Sequence, residues 1–292
     1  MKKLLVFCVF SLLIPLSFAL AETTPSTQPI KTFVSVLPQK YLVERVGGEH
    51  VEVSAMVGPG RSPHTYEPTP RQMSELSRTR VFFQIGVPFE QVWIKRITAL
   101  NPALELVDLR KGIRLLPSPA HHHDHHHGHG EELDPHIWTD PMLAKIMAGQ
   151  ILETLSRLQP QRKADFTANY QALVADLAEL DRYIRDRLDG VKQRRFLVFH
   201  PSWGYFAAAY DLEQIAIETE GKEPGPRALA RIIDLARKNN IRTIFIQPQF
   251  SRTTAETVAR AIDGKVEAID PLSEDYLDNL RKAADAFVLS LE

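Results

Sequence analysis

The chain has 292 residues, enough for about two domains. With 44% hydrophobic and 24% charged residues it has the composition of an ordinary folded protein rather than a disordered one. Its 35 basic and 36 acidic residues give a net charge of −1, which argues against nucleic acid or another polyanion as a general partner, and its single cysteine, Cys8, rules out an intrachain disulfide or a cysteine-based metal site.

Lys2 and Lys3 precede an uncharged, mostly apolar run, Leu4 to Phe18, and a small-x-small pattern, Ala19-Leu20-Ala21. This reads as a secretory signal peptide over residues 1–21, cleaved near Ala21. The run is shorter than the ~20 residues that a membrane span needs. Cys8 lies inside it, too near the start to be a lipid-attachment cysteine. The expected mature chain is exported, soluble and free of cysteine. Residues 22–30 are polar and proline-containing and read as a flexible leader.

From there the chain shows one pattern twice. Short apolar, β-rich runs occur at Phe33–Leu37, Val51–Val57, Val81–Ile85 and Leu104–Asp108, and again at Phe196–Phe199, Gln214–Ile217, Thr243–Gln247 and Val266–Ile269. Helix-like stretches such as Pro70–Arg78 and Arg227–Lys238 separate them. Alternating strands and helices predict an α/β fold of two lobes, residues 31–160 and 190–292, each with a four-stranded, mostly parallel sheet flanked by helices. Between the lobes, Asp140-Pro141 has the form of a helix N-cap followed by proline at the first helical position. After Pro160, residues 161–189 predict a connecting helix: Phe166, Tyr170, Leu173, Leu177, Leu180, Ile184 and Leu188 recur at steps of three and four, and Gly190 stops it. Such a helix would be ~42 Å long, a stiff connector running along both lobes.

Seven of the eleven histidines, His121, His122, His123, His125, His126, His127 and His129, lie in one low-complexity loop, residues 120–130. It cannot pack a core, and it predicts a mobile loop that gathers metal at several weak sites. His50 follows a Gly-Gly-Glu turn and reads as a surface residue. The remaining three stand after predicted strands: His64 after the second, His136 after the fourth and His200 directly at the end of the fifth. Asp270 holds the same position after the eighth. Ligands bind at the carboxyl ends of strands in such sheets. Three imidazoles and one carboxylate make a tetrahedral zinc shell, which Tyr66, Trp138, Trp203 and Tyr205 could shield from water. For each residue alone the alternative is an ordinary structural role: a hydrogen-bonded histidine, or for Asp270 a cap on the turn before Pro271. Glu67, Glu218 and Glu220 compete with Asp270 as the carboxylate.

The stretches Pro63-His64-Thr65-Tyr66-Glu67-Pro68, Asp134-Pro135-His136-Ile137-Trp138-Thr139-Asp140-Pro141 and His200-Pro201-Ser202-Trp203-Gly204-Tyr205-Phe206 resemble the metal-specific periplasmic solute-binding proteins of ABC transporters, most closely their zinc-uptake branch. The resemblance covers nearly all of residues 31–290. It implies two α/β lobes joined by one long rigid helix, with metal held in the cleft by His64, His136, His200 and Asp270. It also implies a monomeric periplasmic protein that hands zinc to a membrane permease and its ATPase. Histidine at the third position, where manganese-binding members have Glu, points to zinc. Gln247 stands where the family usually has Glu and is read as a supporting residue, not a ligand.

Three other functions compete. A zinc-dependent hydrolase would need an open metal position, and the sequence has no His-Glu-x-x-His helix and no obvious general base. A zinc buffer using mainly the histidine loop would not need two α/β lobes. A manganese-binding transport subunit would share the fold.

Overall fold

The computed structural model describes residues 28–118, 133–218 and 224–291. The expected signal peptide and its cleavage site, most of the leader, the histidine run, and Glu220 lie outside the described residues. Among the described residues no helix is long and apolar enough to cross a membrane.

The first lobe contains β1 (Ile30–Val34), α1 (Leu37–Gly47), β2 (Val51–Ala55), α2 (Pro70–Leu76), β3 (Val81–Gln84), α3 (Pro88–Leu100) and β4 (Glu105–Asp108). Its strands are all parallel, in the order β2-β1-β3-β4. The second lobe contains β5 (Arg195–Val198), β6 (Glu213–Ala216), β7 (Thr243–Ile246) and β8 (Lys265–Ala268) in the matching order β6-β5-β7-β8, again all parallel. The two lobes and their parallel sheets are as the sequence predicts, with edges shifted. β1 starts at Ile30, inside the stretch read as leader, and ends at Val34 instead of Leu37. Val36 and Leu37 are apolar enough to continue a strand, but Pro38 favours the first turn of a helix and turns them into the entry to α1.

Between the lobes run α4 (Pro141–Leu158) and α5 (Lys163–Leu188). Asp140 caps α4 through Met142 N–H, at 2.7 Å, with Pro141 in the first turn, as read from the sequence. A 3-10 turn at Pro160–Arg162 separates the two helices, so the connector has 26 residues and spans ~39 Å. Gly190 follows it with φ +73°. The buried stripe of α5, from Phe166 to Leu188, packs on α1 and α4 of the first lobe and on α9 (Tyr276–Leu291) of the second.

One core runs from the first lobe through α5 into the second, where Phe196, Val198, Phe206, Phe245 and Phe287 meet on one face of the sheet. Burying a side chain of this size contributes about 1.5–3 kcal/mol. The alternate residues of the same strands, Leu197, Phe199, Ile244 and Ile246, face a second core under α7 (Pro226–Lys238) and α8 (Arg252–Ala261). This is the period-two pattern of strands covered on both faces. Two contacts tie α1 directly to the second lobe: Tyr41 stacks on Tyr276 and Lys40 pairs with Glu274.

His50 differs from its reading as a surface residue. Its Nε2 lies 3.0 Å from Asp165 Oδ2 and its ring meets the edge of Phe166, pinning the entry to β2 against α5.

Candidate metal site between the lobes

His64 lies in the loop between β2 and α2, in a Gly- and Pro-rich segment whose tip, Pro59 to Arg61, is exposed. The loop is anchored from behind by Gln72, whose side-chain amide donates to the carbonyls of Ala55 and Met56 at 3.2 and 2.8 Å. His136 enters a 3-10 turn, Ile137–Thr139, just before the cap of α4. His200 follows β5 by two residues and precedes α6 (Gly204–Ala209). Chain folding brings all three together. His64 Nε2 lies 3.1 Å from His200 Nε2, and the His136 and His200 rings have centroids 5.3 Å apart.

Two of these imidazoles are oriented by carboxylates. His136 Nδ1 lies 2.7 Å from Asp134 Oδ1, and His200 Nδ1 lies 3.0 Å from Glu218 Oε1. An ionised carboxylate only accepts hydrogen bonds, so each Nδ1 carries the proton and each Nε2 keeps its lone pair. His64 is different. Its Nε2 faces His200 Nε2 at 3.1 Å, and with its proton on Nδ1 both Nε2 lone pairs would converge on one point, the arrangement that ligates a cation. Burial holds His64 down to about 3, with repulsion from His200 and His136 adding to it, and burial also lowers His200. Both are neutral at pH 7, the state in which imidazole binds metal.

Between the rings is a cavity of about 20 Å³ walled by the three histidines together with Gln249, Phe250 and Pro271. That is room for a single water or ion, given the ~10–15 Å³ minimum for one water. The described residues contain no group of three or more His, Cys, Asp or Glu already placed to hold a metal ion. Tetrahedral zinc at ~2.0–2.1 Å would hold two nitrogens ~3.3–3.4 Å apart, with both lone pairs turned to the ion. The His64–His200 separation of 3.1 Å is within a few tenths of an ångström of that spacing.

Asp270 follows β8 as read from the sequence, but it is not among the walls of the cavity. Its Oδ1 accepts from Gln249 Nε2 at 3.0 Å and from Leu272 N–H at 2.9 Å, so that oxygen caps the turn at Pro271. Of the rival carboxylates, Glu67 is exposed and Glu218 is buried behind the His200 ring at Nδ1, away from Nε2. Trp138, Trp203 and Tyr205 are buried, whereas Tyr66 is half-buried and packs its ring edge against Phe89.

Gln247 supports His200. Its amide nitrogen donates to His200 O at 2.8 Å and Ser202 Oγ at 2.7 Å. A carboxylate could not donate either bond. Phe250 stacks on the His200 ring, with centroids 5.0 Å apart and planes at 23°. Reading the sequence for ligands missed the roles of Asp134, Glu218 and Phe250. An aspartate two residues before a candidate histidine was the one local signal. Glu218 lies 18 residues from His200, and its pairing depends on β6 lying beside β5.

The chain matches the protein family described as zinc-uptake complex component A, periplasmic (ZnuA), over residues 33–289. It is similar to a crystal structure of ZnuA, with a TM-score of 0.85 and 37% identity, covering 91% of this chain and 100% of that one. It is 27% identical over 263 residues to the zinc-binding lipoprotein AdcA of Streptococcus pneumoniae, covering 87% of this chain. The chain spans only about half, 52%, of that relative's length. It is also 25% identical over 265 residues to the manganese-binding lipoprotein MntA of Halalkalibacterium halodurans, covering 86% of this chain and 84% of that one.

Proposed function

The chain belongs to the family of periplasmic zinc-uptake components, metal-binding solute-binding proteins of ABC transporters and not enzymes, and from that premise we propose that it captures one zinc ion in the cleft and delivers it to a membrane permease and its ATPase. The observation that carries this reading is the single-ion cavity of about 20 Å³ walled by His64, His136 and His200. Three neutral imidazoles suit zinc better than manganese, which favours oxygen donors. Asp270 supplies the fourth donor through Oδ2, since Oδ1 is taken by the turn. A closed shell of this kind leaves no metal-bound water, the species that a zinc hydrolase activates. The histidine run from His121 to His129 gathers zinc weakly, apart from the tight site. The protein works as an exported monomer after cleavage near Ala21.

The test is metal content and stoichiometry, by mass spectrometry, of protein purified without an affinity tag, paired with competition between zinc and manganese. One tight zinc equivalent that manganese does not displace is expected. Tighter binding of manganese would replace this reading with that of a manganese subunit, for which the resemblance to MntA is the supporting observation. Zinc-dependent ester, peptide or phosphate cleavage lost in His200→Ala would overturn transport as the function.

A further inference from the structure

In sequence His136 belongs to the first lobe, yet the segment that carries it is held by the second. Trp138 Nε1 donates to Pro271 O at 2.7 Å, and Tyr276 Oη donates to Trp138 O at 2.6 Å. Nearest to the histidine is Tyr205, on α6, five residues after His200. Its hydroxyl accepts from Leu116 N–H at 2.9 Å and donates to Asp134 O at 2.8 Å. Leu116 and Asp134 are themselves joined, Asp134 N–H to Leu116 O at 2.9 Å. The Tyr205 hydroxyl thus closes a neck formed by the two chain segments that meet there.

Asp134 is the residue whose carboxylate binds both His136 Nδ1, at 2.7 Å, and His136 N–H, at 2.9 Å. On another side Gly204 approaches it closely, so that an added Cβ would fall 2.8 Å from Asp134 Oδ2. Tyr205 therefore holds Asp134 by its carbonyl, Gly204 lies against its carboxylate, and Asp134 holds His136. Among the described residues His64 has no such link. Its loop is anchored within the first lobe by Gln72.

We propose that Tyr205 is a positioning residue for metal capture: by clasping Asp134 it fixes His136 to the lobe that carries His200, so that these two ligands form one preset pair to which His64 is added. At Asp134 the pair is joined across the lobe boundary by the Tyr205 hydroxyl and the close approach of Gly204, and Trp138 and Tyr276 tie the same segment to the second lobe further along. The proposal rests on the reading that His136 and His200 are ligands.

The test uses the full mature chain with Co²⁺ as a spectroscopic stand-in for zinc. Tyr205→Phe removes the clasp, and Gly204→Ala pushes on the Asp134 carboxylate from the same lobe, so two changes of different chemistry act on one target. Each is expected to speed zinc dissociation about 10-fold, the lower end of what losing an outer partner of a metal ligand costs. Each is also expected to alter the visible Co²⁺ spectrum, which reports ligand geometry and which a change in stability alone would not move. His136→Ala serves as the control. If it loses affinity while both variants keep the wild-type dissociation rate and spectrum, the positioning role is overturned and the site stands, even if Tyr205→Phe lowers the melting temperature. If His136→Ala keeps wild-type affinity, the site reading fails and this proposal falls with it.

Discussion

The two lobes share a topology strand for strand, β2-β1-β3-β4 and β6-β5-β7-β8, so each has a crevice where its chain reverses direction between the two central strands. In the first lobe that crevice is filled from within. Glu90, from α3, accepts from Ile85 N–H at 2.9 Å, from Gly86 N–H at 2.7 Å and from the Ser35 hydroxyl. Gln39 covers it further by accepting from Ser35 N–H at 2.9 Å and donating to Phe83 O at 3.0 Å. Burial pushes Glu90 up from the usual carboxylate range, against the pull of these donors. In the second lobe the same place holds His200, fastened by Gln247 and Glu218 with its Nε2 turned to the cleft. The fold offers two equivalent crevices, and side chains decide that one is closed and the other presents a histidine to the cleft. The first lobe reaches the site instead from its β2–α2 loop, with His64.

The largest effect should come from the presented crevice. His200→Ala is expected to weaken zinc binding more than 100-fold in a competition assay, beyond the ~10–100-fold typical of losing an outer partner. Glu218→Gln should fall within that outer range, because an amide can donate to Nδ1 and so favours the wrong imidazole tautomer. Equal affinity in wild type and Glu218→Gln would show that the carboxylate does not orient the ligand. The closed crevice should behave in the opposite way. Glu90→Gln is expected to leave zinc affinity unchanged while lowering stability to denaturant by about 1–3 kcal/mol, since one of its buried donors loses its acceptor.

Another effect concerns pH. His64 is held down to about 3 in the folded chain and takes its ordinary value of 6.5 when unfolded. As pH falls from about 6.5 towards 3 the unfolded chain binds a proton that the native chain refuses, so the metal-free protein loses stability over that window. Denaturant midpoints measured across it should fall more steeply for wild type than for His64→Gln. The smallest expected change is at the tight site when residues 121–129 are deleted: weak extra zinc equivalents vanish and one tight equivalent keeps its affinity. Loss of that equivalent would refute the division of labour between cleft and loop.

The fold was legible because its signals are local. Eight short apolar runs, the Asp140-Pro141 cap and the stripe from Phe166 to Leu188 each lie within one element. Strand edges were less so: β5, β6 and β8 begin on Arg195, Glu213 and Lys265, exposed charged residues that an apolar reading leaves out. At the candidate site the histidines stood out by their place after strands, and the structure brings His64, His136 and His200 together. What surrounds them was not legible, because it depends on long-range pairing. Tyr205 lies 71 residues from Asp134, and Glu218 lies 18 from His200. The turn around Asp270 could be read from Pro271, but not the Gln249 amide that shares its Oδ1.

The most direct test of the central claim is a crystal structure of the zinc-loaded protein with anomalous differences recorded across the zinc edge. The expected result is one strong peak in the cleft, ~2.0–2.1 Å from Nε2 of His64, His136 and His200. A strongest peak elsewhere, or one touching fewer than two of these nitrogens, would contradict it.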